Sequence, residues 1–260
     1  MLKCWRPALT QTEEWSMMIY FTGDLHGSID IGKLSSESLE REQIEIGKDD
    51  YLVVCGDFGL VWSGSEHERR WIDWLSQKPW TTLFVDGNHE NFDMLESHAV
   101  EEWRGGKIHR ITDKILHLMR GELFNLEGST LFAFGGASTP SFDKVRRTKG
   151  VSWWPQELPS QEELKRADET LRKCGYTVDY VATHCAPSNI QARINLAYSR
   201  DQLTEYLQYV SEHLIFKKWL FGHYHEDRRF FDGYRALYRD IIAYNDAGNE
   251  YPANDRQGLH

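Results

Sequence analysis

Five short apolar runs, rich in β-branched and aromatic residues, are spread along the chain with helical patterns among them. The runs cover residues 18–22, 51–55, 81–85, 178–182 and 215–221. Runs of this length and composition indicate strands buried on both faces, because a half-exposed strand would alternate apolar with polar residues. Buried strands interleaved with helices predict an α/β layered domain, with some antiparallel strands added.

Helices are predicted at 66–77, 160–174 and 200–214. The second begins with Ser160-x-x-Glu163, a capping-box pattern, and the third follows Ser199-x-x-Gln202. The stretch 107–134 alternates short apolar runs with glycines, which predicts hairpins.

Each apolar run leads directly into a turn that carries Asp, Asn or His. These turns are Gly23-Asp24-Leu25-His26-Gly27, Gly56-Asp57, Asp86-Gly87-Asn88-His89-Glu90, Thr183-His184 and Gly222-His223-Tyr224-His225. In open α/β sheets, ligands bind outside the carboxyl ends of the strands, so the turns can meet at one place. The side chains expected to meet are Asp24, His26, Asp57, Asn88, His184, His223 and His225. In the first and last turns the i, i+2 spacing would, in extended backbone, point both side chains the same way.

The residue types at these strand ends suit one chemistry. Imidazole nitrogens with carboxylate and amide oxygens form a site for Mn²⁺, Zn²⁺ or Fe, without any thiolate. Seven ligands are too many for one tetrahedral zinc and suit two metal ions with one bridging carboxylate. Such a pair lowers the pKa of a shared water and neutralises charge on a substrate oxyanion, which predicts phosphoester hydrolysis.

The ordered motifs Gly-Asp-x-His-Gly, Gly-Asp, Gly-Asn-His-Glu, Thr-His and Gly-His-x-His resemble those of the calcineurin-like metallophosphoesterase superfamily. The resemblance extends from about residue 18 to residue 245. It implies a four-layer α/β/β/α sandwich with two mixed sheets and the metal site at the carboxyl ends of the strands.

The same resemblance implies roles for individual residues. The first metal ion would be held by Asp24, His26, Asp57 and His225. Asp57 would bridge to the second ion, which would be held by Asn88, His184 and His223. His89 would be the outer-sphere histidine that protonates the leaving oxygen or binds the phosphate. The cofactors would be two divalent ions, with Mn²⁺ expected first and Fe, Zn, Ni or Mg as alternatives.

The resemblance also implies a reaction, in which a metal-bridging hydroxide attacks phosphorus in line. Whether the substrate is a phosphomonoester or a phosphodiester stays open, and Ser/Thr protein phosphatase-like or dinucleoside-polyphosphate hydrolysis is the alternative. Against the protein phosphatase branch, Phe58-Gly59-Leu60-Val61-Trp62 follows Asp57 where that branch has Val-Asp-Arg-Gly. Asp86 also stands before Gly87 where that branch carries Arg. The chain is more similar to small bacterial and phage metallophosphoesterases; a non-catalytic scaffold is a remote alternative.

A cationic segment is the candidate for substrate binding. Lys144, Arg146, Arg147 and Lys149 precede Trp153-Trp154 in an otherwise acidic chain, and the first three are the candidates. Cations beside a phosphate site would bind its oxygens, and the tryptophans could stack on a base. A solvated loop anchored by packed tryptophans is an equally good interpretation. Arg120 is a weaker substrate-binding candidate.

Composition limits which other functions and locations are compatible with the chain. Forty acidic against thirty basic residues give a net charge of −10, which argues against an extensive nucleic-acid surface or binding to an anionic membrane. The apolar runs are far shorter than the ~18–20 residues of a membrane-spanning helix. Four scattered cysteines without a CxxC pair indicate reduced thiols and a cytoplasmic location.

The expected organisation is an N-terminal extension at 1–16, one metallophosphoesterase domain at 17–245 and a polar C-terminal tail at 246–260. The expected partner is the phosphoester substrate, with a nucleotide as one option. The oligomeric state stays open.

Overall fold

The computed structural model describes residues 17–140, 144–244 and 250–251. In this part of the chain the strands are β1 (Ile19–Thr22), β2 (Tyr51–Cys55), β3 (Thr81–Val85), β4 (Val100–Trp103), β5 (Gly106–Thr112), β6 (Ile115–Leu118), β7 (Glu122–Leu126), β8 (Ser129–Phe134), β9 (Thr177–Thr183), β10 (Ile215–Phe221), β11 (Arg228–Arg229), β12 (Tyr234–Ala236), β13 (Ile241–Tyr244) and β14 (Glu250–Tyr251). The α-helices are α1 (Ser36–Arg41), α2 (Glu66–Ser76), α3 (Phe92–Leu95), α4 (Gln161–Lys173), α5 (Ser188–Ile194) and α6 (Gln202–His213). Short 3₁₀ helices occur at Ile31–Leu34, Pro155–Glu157 and Phe231–Gly233. The predicted extension at 1–16 and tail at 246–260 lie outside the described residues, apart from β14.

The strands form two mixed sheets. The larger has the order β14-β13-β1-β2-β3-β6-β5-β4 and the smaller the order β11-β12-β10-β9-β8-β7. In the larger sheet β1, β2, β3 and β6 are parallel, and in the smaller sheet β8, β9, β10 and β12 are parallel. The carboxyl ends of β1, β2 and β3 therefore lie along one edge, as do those of β9 and β10.

The two sheets pack face to face and helices cover both outer faces. Phe21 of β1 contacts Tyr180 of β9 across the inter-sheet core, with ring centroids 5.3 Å apart. Leu39, Leu75 and Leu95 of α1, α2 and α3 pack in a second core on the outer face of the larger sheet. The third core, on the other side, is formed by α4, α5 and α6. The four-layer α/β/β/α sandwich expected from the resemblance is confirmed.

The five predicted strands are all present, within one residue at each end, as β1, β2, β3, β9 and β10. The helix predicted at 200–214 is α6, but it begins two residues later than predicted, and the cap expected at Ser199 was wrong. Asp201 is the N-cap: its carboxylate accepts a 2.8 Å hydrogen bond from the Thr204 amide, and Thr204 Oγ1 accepts one from the Asp201 amide. Asp is as good an N-cap as Ser, so both starts satisfied the local pattern.

The hairpins predicted in 107–134 are β5–β6 and β7–β8. Between them the chain crosses from the larger to the smaller sheet at Gly121, where an added Cβ would meet the backbone of Ala167 in α4. Within the described residues, no helix has the length and apolar character needed to cross a membrane.

Candidate metal centre

Side chains from the turns after β1, β2, β3, β9 and β10 meet at the carboxyl ends of these strands. Three overlapping groups have ligand atoms that all lie within 4.8 Å of one another. The groups are Asp24, His26 and His225; His26, Asp57 and His89; and Asp24, Asp57 and His184. Because each group shares members with another, they form one continuous site rather than separate clusters.

Asp57 lies at the centre of this site. Its Oδ2 is 3.3 Å from Nε2 of His26, and its Oδ1 is 3.2 Å from Nε2 of His184. Burial alone would raise the pKa of Asp57, but the charge and hydrogen bonds of the two imidazoles outweigh it and hold that pKa well below its usual value. Asp57 is therefore an anion with one oxygen towards each of two histidines.

Asp24 supplies the second buried carboxylate. Its Oδ1 accepts a 3.0 Å hydrogen bond from the His223 amide. Its Oδ2 is buried and, within the described part of the chain, has no hydrogen-bond partner; Nε2 of His225 is 3.1 Å away without hydrogen-bond geometry. A buried carboxylate oxygen left in this way carries a desolvation cost that a coordinated cation would remove. The donor set of imidazole, carboxylate and amide groups fits divalent metal ions.

Asn88, His184 and His223 lie together on the side of the smaller sheet. Nε2 of His184 is 3.3 Å from Oδ1 of Asn88, and the rings of His184 and His223 are 4.9 Å apart. Nδ1 of His184 is 2.8 Å from the carbonyl oxygen of Cys55, which accepts a hydrogen bond from the Nδ1–H group and orients the ring. All seven predicted ligands are thus brought to one place, and their assignment to particular ions stays a prediction.

Two of these histidines carry protons in the ion-free chain. Burial would lower the pKa of each, but Asp57 raises the pKa of His26 to about 9 and the pKa of His184 to about 10. Metal binding at Nε2 must therefore displace protons, because only the neutral imidazole nitrogen is a ligand.

The turns that carry the ligands adopt left-handed backbone. The φ angles of His26, Asp57, His223 and His225 are 46°, 47°, 70° and 52°. Non-glycine residues rarely adopt this conformation, and it concentrates at functional sites where surrounding contacts hold it. The expectation of extended backbone at the two i, i+2 pairs was wrong: the side chains converge through tight turns after β1 and β10.

Glycines allow these turns to approach the carboxylates. An added Cβ at Gly87 would clash with Oδ1 and the backbone nitrogen of Asp57, and one at Gly222 would clash with Oδ1 of Asp24 and the Cys55 carbonyl. Glycine is therefore required before Asn88 and before His223, because any side chain there would clash with the carboxylate of Asp57 or Asp24.

Glu90 and Asp86, which flank the Gly-Asn-His motif, hold neighbouring segments rather than the candidate ligands. The carboxylate of Glu90 accepts hydrogen bonds from the amides of Phe58 and Gly59, at 2.7 and 3.2 Å, and so fixes the loop after Asp57. Asp86 is buried and pairs with Arg120 and His117.

Arg120 is buried and bonded to Asp86 and to the carbonyl of Gln156. Its hydrogen bonds do not involve the seven candidate ligands. Its predicted role in substrate binding stays a prediction with no contact to the site among the described residues.

The three substrate-binding candidates among the cations of the segment after β8 differ in position. Arg147 lies with Nη2 at 3.4 Å from Nε2 of His89, next to the candidate ligands. Lys144 is 3.9 Å from Glu157 and lies over the ring of Trp153, and Arg146 is exposed. Of these three, Arg147 is the cation that the structure brings to the site.

A sequence profile described as calcineurin-like phosphoesterase matches residues 17–227. The chain belongs to the calcineurin-like phosphoesterase family. This calcineurin-like phosphoesterase is a metal-dependent phosphoester hydrolase. It is also similar to the crystal structure of a phosphopantetheinyl hydrolase (PptH) from Mycobacterium tuberculosis, at 17% identity and a TM-score of 0.41, over 85% of this chain and 88% of the other. A search of curated protein sequences gave no match.

Sequence reasoning missed two polar residues beside the site of this phosphoesterase. Asp30 lies 2.8 Å from Nδ1 of His26, and the Tyr238 ring stacks on that of His225. The spacing of Asp30, four residues after His26, is a weak signal that could have found it. Tyr238 carries no local signal, because it belongs to a different loop from either histidine.

Proposed function

We propose that this chain hydrolyses a phosphoester with two divalent ions held by the seven candidate ligands. Asp24, His26 and His225 would hold one ion, Asn88, His184 and His223 the other, and Asp57 both. The observation that carries the proposal is the position of Asp57, whose two oxygens face histidines of the two different sets, at 3.3 and 3.2 Å. Two such ions supply a more acidic bound water and neutralise charge on phosphoryl oxygens. Mn²⁺ is the first candidate, since nitrogen–oxygen sites accept several metals.

We assign His89 the transfer of a proton to the leaving oxygen or the binding of the phosphate. Its ring lies 5.3 Å from that of His26, in edge-to-face contact, and it is partly buried beside Asp57. It is close enough to the candidate ligands to meet a bound phosphoryl group, and its backbone amide is anchored on Asp57.

Arg147 is the cation that we assign to the phosphate oxygens. Its guanidinium already contacts the ring of His89, and it forms no ion pair with a carboxylate of the described residues. A guanidinium can donate two parallel hydrogen bonds to a phosphate, so an arginine at this position favours a phosphoryl substrate.

The direct test measures hydrolysis of p-nitrophenyl phosphate and of its bis-ester by the full chain with added Mn²⁺. Turnover of the bis-ester alone identifies a phosphodiesterase, and turnover of the monoester identifies a phosphomonoesterase. A variant carrying Asp24→Asn and Asp57→Asn serves as the control, because any activity it retains comes from a contaminant. If the full chain hydrolyses neither ester and binds none of Mn²⁺, Fe²⁺, Zn²⁺, Ni²⁺ and Mg²⁺, the proposal is overturned.

A panel of phosphoproteins, dinucleoside polyphosphates and nucleotide esters then separates the substrate classes.

We also propose that the protein acts in the cytoplasm, since Cys55, Cys174 and Cys185 form no disulfide. Cell fractionation tests the location independently of activity.

A further inference from the structure

Two side chains outside the candidate ligand set connect His26 with His225. Oδ2 of Asp30 lies 2.8 Å from Nδ1 of His26. Oδ1 of the same carboxylate accepts a 3.3 Å hydrogen bond from the hydroxyl of Tyr238. The Tyr238 ring stacks on the ring of His225, with centroids 4.7 Å apart and planes 14° apart. One continuous chain of contacts therefore joins the two imidazoles.

The loop that carries Tyr238 is itself fixed from two sides. Lys33 Nζ donates to the carbonyl oxygens of Gly23, Asp24 and Tyr238, at 3.0, 2.8 and 2.6 Å. The carboxylate of Asp227 accepts hydrogen bonds of 2.8–3.0 Å from the amides of residues 238–240. Lys33 thus holds this loop against the turn after β1, and Asp227 holds it against the turn that contains His225.

These contacts suit the orientation of two histidines that bind one ion. A histidine that donates its Nδ1 proton to a carboxylate presents Nε2 to a metal in a fixed direction and with greater basicity. Nε2 of His26 faces Oδ2 of Asp57 at 3.3 Å. The His225 side chain is 49% exposed, so its ring depends on two ring contacts: an edge-to-face contact with His26, with centroids 4.9 Å apart, and the Tyr238 stack.

At the other candidate ion position, the described residues include no such carboxylate–tyrosine pair. His184 is fully buried, and its Nδ1 is 2.8 Å from the backbone carbonyl of Cys55, with Oδ1 of Asp24 farther away at 3.8 Å. A change at Asp30 or Tyr238 therefore leaves the contacts of His184 and Asn88 intact. The two positions can be separated by mutation.

We propose that Asp30 and Tyr238 are positioning residues that orient His26 and His225 together and so set the affinity of the ion that these two histidines share. This inference rests on the two-ion function proposed above. It adds that only one of the two ions depends on Asp30 and Tyr238. Loss of these two side chains lowers the affinity for that ion and leaves the affinity for the other unchanged.

The test uses the full chain with Mn²⁺ alone, equilibrium dialysis and metal analysis. Asp30→Ala should weaken one of two Mn²⁺ ions by about 10–100-fold, as removal of the carboxylate behind a ligating histidine typically does, and leave the other unchanged. Electron paramagnetic resonance should then change from a spin-coupled pair to a single ion. Asp30 makes no side-chain capping bond to the 3₁₀ helix that follows it, so alanine removes no cap.

Two Tyr238 variants separate the effect of the ring stack on His225 from that of the hydrogen bond to Asp30. Tyr238→Phe keeps the stack on His225 and loses the bond to Asp30, whereas Tyr238→Leu loses both. We expect Mn²⁺ affinity at the affected position to fall in the order wild type, Tyr238→Phe, Tyr238→Leu. Asp113→Asn, which removes an exposed carboxylate from the β5–β6 turn, is the control and should bind both ions normally.

The outcomes are distinguishable. If the wild type binds two ions and Asp30→Ala binds both equally well, the positioning inference is overturned and the proposed function stands. If Asp30→Ala loses both ions or melts earlier in the metal-free state, the role is structural and the inference is overturned. If the wild type binds no Mn²⁺ or other divalent ion and is inactive, the two-ion function fails and the inference with it.

Discussion

The backbone amide of His89 donates a 2.8 Å hydrogen bond to Oδ1 of Asp57. This bond joins the turn after β3 to the turn after β2, and it places the candidate proton donor beside the candidate bridging anion. Because the bond uses the backbone, a change of the His89 side chain leaves the position of Asp57 unaltered.

His89→Ala should therefore retain both ions and lose turnover by about 10²–10⁴-fold, the usual contribution of a general acid. Metal analysis and steady-state kinetics with a nitrophenyl ester check both parts. His67→Ala, at an exposed position of α2, is the control. Unchanged turnover in His89→Ala would remove this residue from the mechanism.

Asp57→Asn should lose metal and activity together. One bridging anion serves both ions, and an amide carries no charge to offset either of them. We expect metal affinity to fall by at least about 100-fold, the upper range for loss of a group that only supports a ligand. Two ions per chain in the purified variant would show that Asp57 does not bridge.

Arg147→Ala should reduce kcat/KM by about 10–100-fold, since hydrogen bonds to charged groups are worth about 1.5–3 kcal/mol. Metal content should not change. Arg146→Ala is the matched control, because it removes the same charge from the adjacent, exposed position. Equal effects of the two substitutions would indicate a general electrostatic effect instead of contact with phosphate.

Gly222→Ala should destabilise the protein by about 1–3 kcal/mol, the range for overpacking, and lower its metal content. The new methyl group would meet the Cys55 carbonyl and displace Asp24. Gly32→Ala is the comparison, because an added Cβ there has no neighbour within 4 Å among the described residues. Thermal unfolding of the metal-free proteins measures the difference, and equal melting temperatures would contradict the packing argument.

His109 should make stability depend on pH. Burial, reinforced by the charges of His117 and His98, lowers the pKa of His109 to about 4, against about 6.5 in an unfolded chain. Between these values the unfolded chain binds a proton that the native protein does not, so the free energy of unfolding falls as pH decreases from about 6.5 to about 4.

Melting temperatures of the metal-free protein at pH 7 and pH 5 check this dependence. His109→Gln removes the titrating group and should show a smaller fall between the two pH values. His67→Gln, at an exposed histidine, should fall as much as the wild type. A fall of equal size in all three would show that other groups carry the acid sensitivity.

The strands and the candidate ligands could be predicted because their signals are local. The run at 51–55 is apolar throughout and buried throughout, and its carboxyl end is marked by Gly56-Asp57. Once parallel strands are assumed, the ends of β2 and β3 bring Asp57 and Asn88 to one edge of the larger sheet, whereas His184 reaches them from the smaller sheet.

Features that depend on contacts between distant loops could not be predicted. Tyr238 donates a hydrogen bond to Asp30, which is 208 residues away in the sequence, and no periodic sequence pattern predicts such a contact. The left-handed turns at His26 and His225 are held by surrounding packing, which a local motif does not contain.

The sequence also could not show which of the cations lies at the candidate metal site, because this depends on the path of the folded chain. Lys144, Arg146 and Arg147 occupy neighbouring positions, and only the folded segment shows which of them meets His89.

The segment from 135 to 160, which links β8 to α4, contributes none of the seven candidate ligands, although it carries Arg147. The segment closes on itself at Thr139, whose amide and hydroxyl donate hydrogen bonds of 2.9 Å to the carboxylate of Glu157. A relative could therefore exchange or lengthen the loop beyond this closure and acquire a different substrate while its seven candidate ligands stay the same. Engineering of specificity in this scaffold should begin with the residues between Thr139 and Glu157.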